Sequence, residues 1–315
     1  MGEKTGISWT DATWNCWQGC HKVSQGCKNC YMFAEKSRYG QNPSVVVRSS
    51  DTTFNAPLKW AANPAKYGHI KRIFVDSWSD FFIEEADPWR ADAWEIMRRT
   101  PQFIYQLCTK RPERIADSLP PDWGAGYPNV WLLTSTENQE AANHRIPILL
   151  SIPAVVHGIS AEPLLSEINL RCILHPERNF VSVWDVLTGS HGHMGGSSEG
   201  HEKLEWVIVG GESGANARPM LSHWADDIRE QCENAKVPFF FKQNGEWVDS
   251  GHEEFGRHPS VSHKFLRSDG TEWPLGDPAL ENEDSDVHTL VRIGRRSSAD
   301  TLYGKVYHQF PGGAA

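Results

Sequence analysis

Cysteine is scarce in this chain, with seven among 315 residues, yet four of the seven, Cys16, Cys20, Cys27 and Cys30, fall within "WNCWQGCHKVSQGCKNCY". Other features are missing altogether. No apolar run approaches the roughly 20 residues that cross a bilayer. The opening "MGEKTGISWTD" lacks the charged-then-apolar layout of a secretory signal. It begins Met-Gly but places Gly6 where a myristoylation motif wants Ser or Thr. A cytoplasmic protein is therefore expected, in which clustered thiols bind metal or do chemistry rather than form disulfides. Positive charge is also in deficit: the net charge of −9 excludes a non-specific nucleic-acid coat. Neither a G-x-G-x-x-G turn nor a Walker loop is present, which removes the usual support for nicotinamide cofactors and ATP.

What is present is a globular composition, 39% hydrophobic and 23% charged, with 14 tryptophans. Short β-rich runs recur, "RIFVDS" (72–77), "QFIYQLCTK" (102–110), "VWLLTST" (130–136), "AVVHGIS" (154–160), "WVIVGGE" (206–212) and "VPFFFKQ" (237–243), with "ISWTDATW" (7–14) as a further candidate. Runs such as WVIVGG are apolar without alternation, as in strands covered on both faces. Helical patterns lie between them at 88–99, 111–118, 138–150 and 222–235, with Asp87 and Ser222 as expected N-caps and Pro88 suited to a first helical position. Strand–helix alternation predicts an α/β fold with a parallel sheet, as a partial or complete β/α barrel. An open doubly wound sheet is the alternative.

Two segments break the rhythm. "TGSHGHMGGSSEGHEK" (188–203) reads as a mobile, exposed loop within an insertion at 171–203; His191, His193 and His201 could bind metal, but an exposed insertion is the preferred reading. Residues 245–315 read as an irregular or small β extension that folds back over a barrel domain at 1–244. A basic run, "RRTPQFIYQLCTKRPER" (98–114), offers a local patch for nucleic acid, although a solvated helix and loop explains it equally well.

In a β/α barrel the chemistry sits at the carboxyl ends of the strands. Here those ends are polar in succession: Asp76, Ser77 and Asp80; Thr109 and Lys110; Ser135, Glu137 and Asn138; Ser160 and Glu162; Glu212 and Ser213; Lys242 and Gln243. One polar residue after a strand is a cap or turn former, whereas six such ends point to a shared pocket. "GGESG" (210–214) presents backbone that a ligand can approach, because glycine carries no side chain to block it; a tight strand-to-helix turn accounts for the same residues. Glu212 and Glu162 can each accept hydrogen bonds from the ammonium group of an amino-acid-like cofactor.

Cys20, Cys27 and Cys30 form C-x6-C-x2-C. Three thiolates on a [4Fe-4S] cluster leave one iron without a protein ligand, and an open position makes a metal site reactive. S-adenosylmethionine can chelate such an iron through its amino and carboxylate groups, and an electron can then break a carbon–sulfur bond to give a 5′-deoxyadenosyl radical. With Cys16 included, the same stretch can instead build a closed zinc site of four thiolates. Cys108, Cys172 and Cys232 read as small core residues. Trp9, Trp14 and Trp17 flank the cysteine loop, as cluster shields or as ordinary packing.

The stretch "ISWTDATWNCWQGCHKVSQGCKNCYMFAEKSRYG" resembles the opening of a three-cysteine phage and bacterial family of unknown function, whose pattern runs approximately WTDATWNPxxGCxxVSxGCxNCYA. The resemblance continues through "RIFVDSWSDFF", "QLCTKRPERI", "STENQEAANHRIPILL", "ISAEPLL", "WVIVGGESGANARPM", "VPFFFKQNGEW" and "VRIGRRSSADTLYGKVYHQFP". That family is similar in turn to radical S-adenosylmethionine (radical SAM) enzymes, whose partial β/α barrel carries a C-x3-C-x2-C loop after its first strand. The present spacing is longer by three residues. The resemblance implies metal ligands Cys20, Cys27 and Cys30, with Cys16 standing where the family pattern has proline. Cofactor-binding residues are then expected at Ser135, Ser160, Glu162, Gly210, Gly211 and Glu212, and catalytic residues at Lys110, Glu162, Glu212 and Lys242. A phage setting implies a nucleic acid or nucleotide substrate, and the reaction needs an electron donor. A zinc- or cluster-stabilised binding module without turnover is the alternative.

Overall fold

The apolar runs form strands because both of their faces are covered. Trp206, Val207, Ile208 and Val209 are all fully buried. The computed structural model describes residues 2–174, 183–193, 196–198, 202–249, 262–273, 286–294 and 299–313. Seven strands make the central sheet: β1 (Ala12–Trp14), β2 (Arg72–Val75), β3 (Ile104–Thr109), β4 (Val130–Ser135), β5 (His157–Ala161), β6 (Trp206–Gly210) and β7 (Phe239–Gln243). Every neighbouring pair is parallel, and the order across the sheet follows the chain without a reversal. A doubly wound sheet needs a switch in strand order, and none occurs here. The sheet curls instead into a half-barrel.

Helix α1 (Tyr31–Arg38) follows the cysteine loop; α2 (Asp87–Arg99), α3 (Gln139–Leu150) and α4 (Ser222–Ala235) are the longer helices between strands. Asn138 caps α3, accepting from Ala141 N at 2.8 Å. The two expected caps differ. Asp87 lies inside α2, where its carboxylate takes Arg90 and Arg114 instead of a backbone N–H. Ser222 is the first residue of α4 and is buried, with Leu221 before it. The 111–118 stretch is two short turns, Pro112–Arg114 and Ile115–Ser118.

Period-two alternation divides the strand residues between two cores. Leu132, Ile159, Val207, Val209, Phe239 and Phe241 join the larger core, which holds α2, α3 and α4. Trp131, Leu133, Trp206, Ile208 and Phe240 face the other way and meet Trp9 and Phe310. Trp206 centres this second cluster, with ring centroids 6.1 Å from Trp9, 5.5 Å from Trp131 and 5.4 Å from Phe310. Trp206 opens β6 and Trp9 precedes β1, so the aromatics fill the amino end of that face. The polar carboxyl end is left for the loops.

Phe310 arrives on the C-terminal segment, which runs antiparallel along β7: Phe241 N donates to Tyr307 O at 2.8 Å and Gln309 N to Phe239 O at 3.2 Å. That pairing covers a sheet edge that would otherwise be open.

The insertion is more ordered than its composition predicts. Ile173–Leu174, Val183–Asp185, Ser190–His193 and Gly196–Ser198 form a four-stranded antiparallel sheet. Its buried apolar side chains are few, Ile173 and Trp184, and Leu174 is exposed. His191 packs on Trp184, whereas His201 and the His193 side chain lie outside the described residues. Beyond β7, Trp247–Asp249, His263–Arg267 and Val287–Arg292 pair as a three-stranded antiparallel sheet. Among the described residues no helix is long and apolar enough to cross a membrane.

Trp206→Ala should cost about 3–5 kcal/mol, because a large ring is removed from a site with no solvent access and the cavity remains. Urea unfolding of the full chain measures it, and a loss under about 1 kcal/mol would show that the plug does not brace the half-barrel.

Candidate functional site

The cysteine loop begins where β1 ends. Its first turn is held by Asp76, the residue after β2, whose φ of 57° lies in the left-handed region. Asp76 Oδ1 accepts from Cys16 N at 2.7 Å and Trp17 N at 3.3 Å. Its Oδ2 is buried without a partner, and burial pushes the carboxyl pKa well above its ordinary value. Trp17–Gln18 pairs with Val47–Arg48 and closes the loop into a small module on the sheet edge.

The four clustered cysteines separate by environment. Cys16 is fully buried in the larger core, where burial raises its thiol pKa. Cys20, Cys27 and Cys30 are partly exposed, and all seven cysteines are free thiols. The residues around those three cross the strand ends one after another. Arg111, after β3, lies 3.7 Å from Cys20 Sγ and donates to Asp80 at 3.1 Å and His21 O at 2.9 Å. Ser24 Oγ stands 3.9 Å from Cys27 Sγ and donates to Glu137 Oε1, after β4, at 2.6 Å. Gly26 is pressed onto the same carboxylate, since a Cβ there would sit 2.2 Å from Glu137 Oε1. Asn29 Nδ2 donates to Glu212, after β6, at 2.9 Å, and Arg218 reaches Gln25 O at 3.0 Å. Tyr31 donates to Ser77 O after β2.

Burial and the Asp80 charge raise the Cys20 thiol to about 11, against the opposing pull of Arg111. Free Cys20 is therefore protonated at neutral pH, and a metal binding there must displace that proton.

The polar strand ends pair among themselves. Burial pushes Glu137 up, but Lys110, Arg145 and Ser24 outweigh it and hold the carboxyl below its ordinary value. Arg145 of α3 donates to Glu137 Oε2 at 2.9 Å, and Lys110 Nζ lies 3.9 Å from Oε1 and 3.0 Å from Ser135 Oγ. On the neighbouring strand ends Lys242 Nζ is 2.9 Å from Glu162, whose other oxygen accepts from Ser160 at 3.0 Å.

The sequence-predicted residues thus fall into two groups, Lys110 with Ser135 and Ser160 with Glu162, Gly210 and Lys242. The glycines serve protein atoms as well as any ligand: a Cβ on Gly210 would stand 2.7 Å from Glu162 Oε1, and one on Gly211 2.1 Å from Asn244 O. Glu212 is a loop anchor in this geometry, its oxygens engaged by Arg218 at 2.6 and 2.9 Å and by Asn29. Trp14 and Trp17 pack in the larger core with Phe54 and Phe81, and Trp9 belongs to the plug. The basic run is largely spent, with Arg98 on Glu95, Arg111 on Asp80 and Arg114 on Asp87.

Sequence reasoning missed Ser24, Asn29, Arg111, Arg145 and Arg218. Only Arg145 carried a local signal, as an arginine on the apolar face of a helix. Among the described residues no three His, Cys, Asp or Glu side chains converge as the ligands of a single ion do.

Residues 4–311 match the model of a family described as a protein of unknown function, DUF5131. The chain belongs to that family. No curated protein and no solved structure matched the chain. The family match spans the cysteine loop, every strand of the half-barrel and the C-terminal segment along β7.

Asp76 provides a pH-dependent test of how the loop is held. A carboxyl whose folded pKa is raised contributes stability that is complete below its unfolded pKa and is lost as pH rises through the folded one. Asp76→Asn cannot ionise and keeps an acceptor for Cys16 and Trp17, so it should gain stability relative to wild type as pH rises from acid to neutral. Asp76→Ala, which cannot ionise either but lacks the acceptor, should stay about 2 kcal/mol below Asp76→Asn at every pH. Urea unfolding across a pH series decides; parallel wild-type and Asn curves would mean that Asp76 is not a buried neutral acid.

Proposed function

We propose that the protein is a radical SAM enzyme, with a [4Fe-4S] cluster on Cys20, Cys27 and Cys30 and S-adenosylmethionine as its cofactor. The supporting observation is the path of the cysteine loop, which carries three partly exposed thiols across the carboxyl ends of β2, β3, β4 and β6 and leaves Cys16 in the core. The donor set fits such a cluster. Cations stand beside two of the thiols, Arg111 at Cys20 and Lys110 within electrostatic reach of Cys27, where they offset thiolate charge.

When bound, the cluster supplies an iron without a protein ligand and an electron for breaking the carbon–sulfur bond of S-adenosylmethionine. The chain's own residues bind, orient and shield. Ser160, Glu162, Gly210 and Lys242 form one wall, where Glu162 accepts hydrogen bonds from an ammonium group. Ser135 and Lys110 form the adjoining wall, with Ser135 directly beside Ser160. Lys110 and Arg145 share the single carboxylate of Glu137, so this wall carries positive charge in excess and suits an anionic substrate. A nucleotide or nucleic acid is the substrate class proposed. The aromatic plug closes the far end of the face and keeps water from entering there. Seven free thiols accord with work in a reducing, cytoplasmic setting.

The test is anaerobic reconstitution with iron and sulfide, chemical reduction, addition of S-adenosylmethionine and assay for 5′-deoxyadenosine. Cys27→Ala should abolish both the cluster absorbance and the product, whereas Cys16→Ala should keep both. A colourless protein holding one zinc ion and releasing no 5′-deoxyadenosine would overturn the assignment.

A further inference from the structure

Apolar exposure and positive charge both collect on the module that carries the cysteines. Nine large hydrophobic side chains are exposed among the described residues, and five of them, Val23, Tyr31, Tyr39, Val45 and Val47, lie between residues 23 and 47. The module is tied together by its own backbone. Cys20 N donates to Pro43 O at 3.0 Å, and a Cβ on Gly19 would stand 2.2 Å from Val45 O. The segment carrying Val45 and Val47 therefore lies directly against the cysteine-bearing strand.

Charge on this module runs against the rest of the chain. Residues 21–48 hold five Lys or Arg and one Glu, whereas the whole chain holds 31 against 40 Asp or Glu. Lys22, Lys28 and Arg38 are exposed. Lys36 is buried and Arg48 is paired with Asp51, so the first three set the field that a partner meets.

Exposed apolar groups and exposed basic residues on one module fit a protein partner of opposite charge. Complementary potential steers such a partner to this face, and the acidic remainder of the surface repels it elsewhere. Nucleic acid would share the attraction to lysine and arginine, but it stacks on aromatic rings, and three of the five apolar groups are valines.

We propose that this face docks a small acidic one-electron carrier protein, which supplies the electron that the proposed reaction consumes. The inference rests on the reading of Cys20, Cys27 and Cys30 as cluster ligands. In the transfer the reduced carrier is oxidised by one electron and the metal centre is reduced by one, with no bond made or broken.

A reduced plant-type [2Fe-2S] ferredoxin is the probe, titrated calorimetrically into the full-length protein. Saturable one-to-one binding is expected, weaker at about 0.15 M salt than at low ionic strength. The double variant Arg38→Glu/Tyr39→Ser changes two exposed positions at the end of α1, and it should weaken binding by roughly tenfold or more with an unchanged circular dichroism spectrum. Val306→Ser, an exposed site on a different segment, should bind as wild type does. Absent binding, or equal binding by the double variant, would overturn the proposal. So would a single-stranded oligonucleotide that displaces the ferredoxin and depends on the same two residues, because the face would then read nucleic acid. Cleavage of S-adenosylmethionine driven by dithionite separates this test from that of the function. Cleavage without ferredoxin binding removes the docking face alone; binding without cleavage removes the enzymatic reading alone.

Discussion

A carboxylate with 1% of its side chain exposed must be paired, and Glu137 meets that requirement with groups from three separate parts of the chain. Arg145 comes from α3, Lys110 from the end of β3, and Ser24 from the cysteine loop. Each pairing fixes a spatial relation that backbone hydrogen bonding does not. Arg145 sets α3 against β4, Lys110 aligns two neighbouring strand ends, and Ser24 draws the cysteine loop over the mouth. Gly26 permits the last of these, because any side chain there would occupy the space of the carboxylate. Loss of the Glu137 charge would leave Arg145 buried without a counter-ion, a larger penalty than the pair's net worth.

The division of the half-barrel into a dry end and a polar end follows from register. Along β4, Trp131, Leu133 and Ser135 share one face, and along β6 Trp206, Ile208 and Gly210 do the same. Parallel pairing aligns the amino ends with one another and the carboxyl ends with one another. Rings from several strands therefore meet in the plug, while Ser135 stands directly beside Ser160. No separate feature is needed to gather polar groups at the mouth. An open face would leave the plug wet, and Phe310 on the returning C-terminal segment covers it while the same segment closes the edge of β7.

These contributions were legible in the sequence to different degrees. The strands were readable, because WVIVGG and VPFFFK are apolar on both faces and bounded by turns. The helix caps at Asp87 and Ser222 were not: Asp87 prefers two guanidinium groups, and Ser222 is drawn into the first turn by burial. The antiparallel sheet from 173 to 198 was hidden by its glycine, serine and histidine content, since a few buried side chains such as Trp184 carry its packing. Polar strand ends were visible as residue types, yet their partners were not. Arg111 lies 91 positions from Cys20 and Asn29 lies 183 from Glu212, separations at which no local pattern exists. Glycines 210 and 211 showed the converse. Their spacing indicated close approach, but the approaching groups include the protein's own Glu162 and Asn244.

The same long-range contacts account for the spacing of the cysteine loop. A C-x3-C-x2-C loop keeps its first two thiols close together along the chain, whereas six residues separate Cys20 from Cys27 here. Four of those six are employed. His21 meets Arg111 and Glu85 beside the end of β3, Ser24 and Gly26 meet Glu137 at β4, and Gln25 meets Arg218 from beyond β6. A loop shorter by three could not touch all of these while remaining tied to Asp76 at its start. The six-residue spacing thus extends the loop across the half-barrel mouth, and the anchors hold it there. Binding a cluster would then require the three thiols to adjust within a loop already fixed at both ends, rather than to organise an unstructured one.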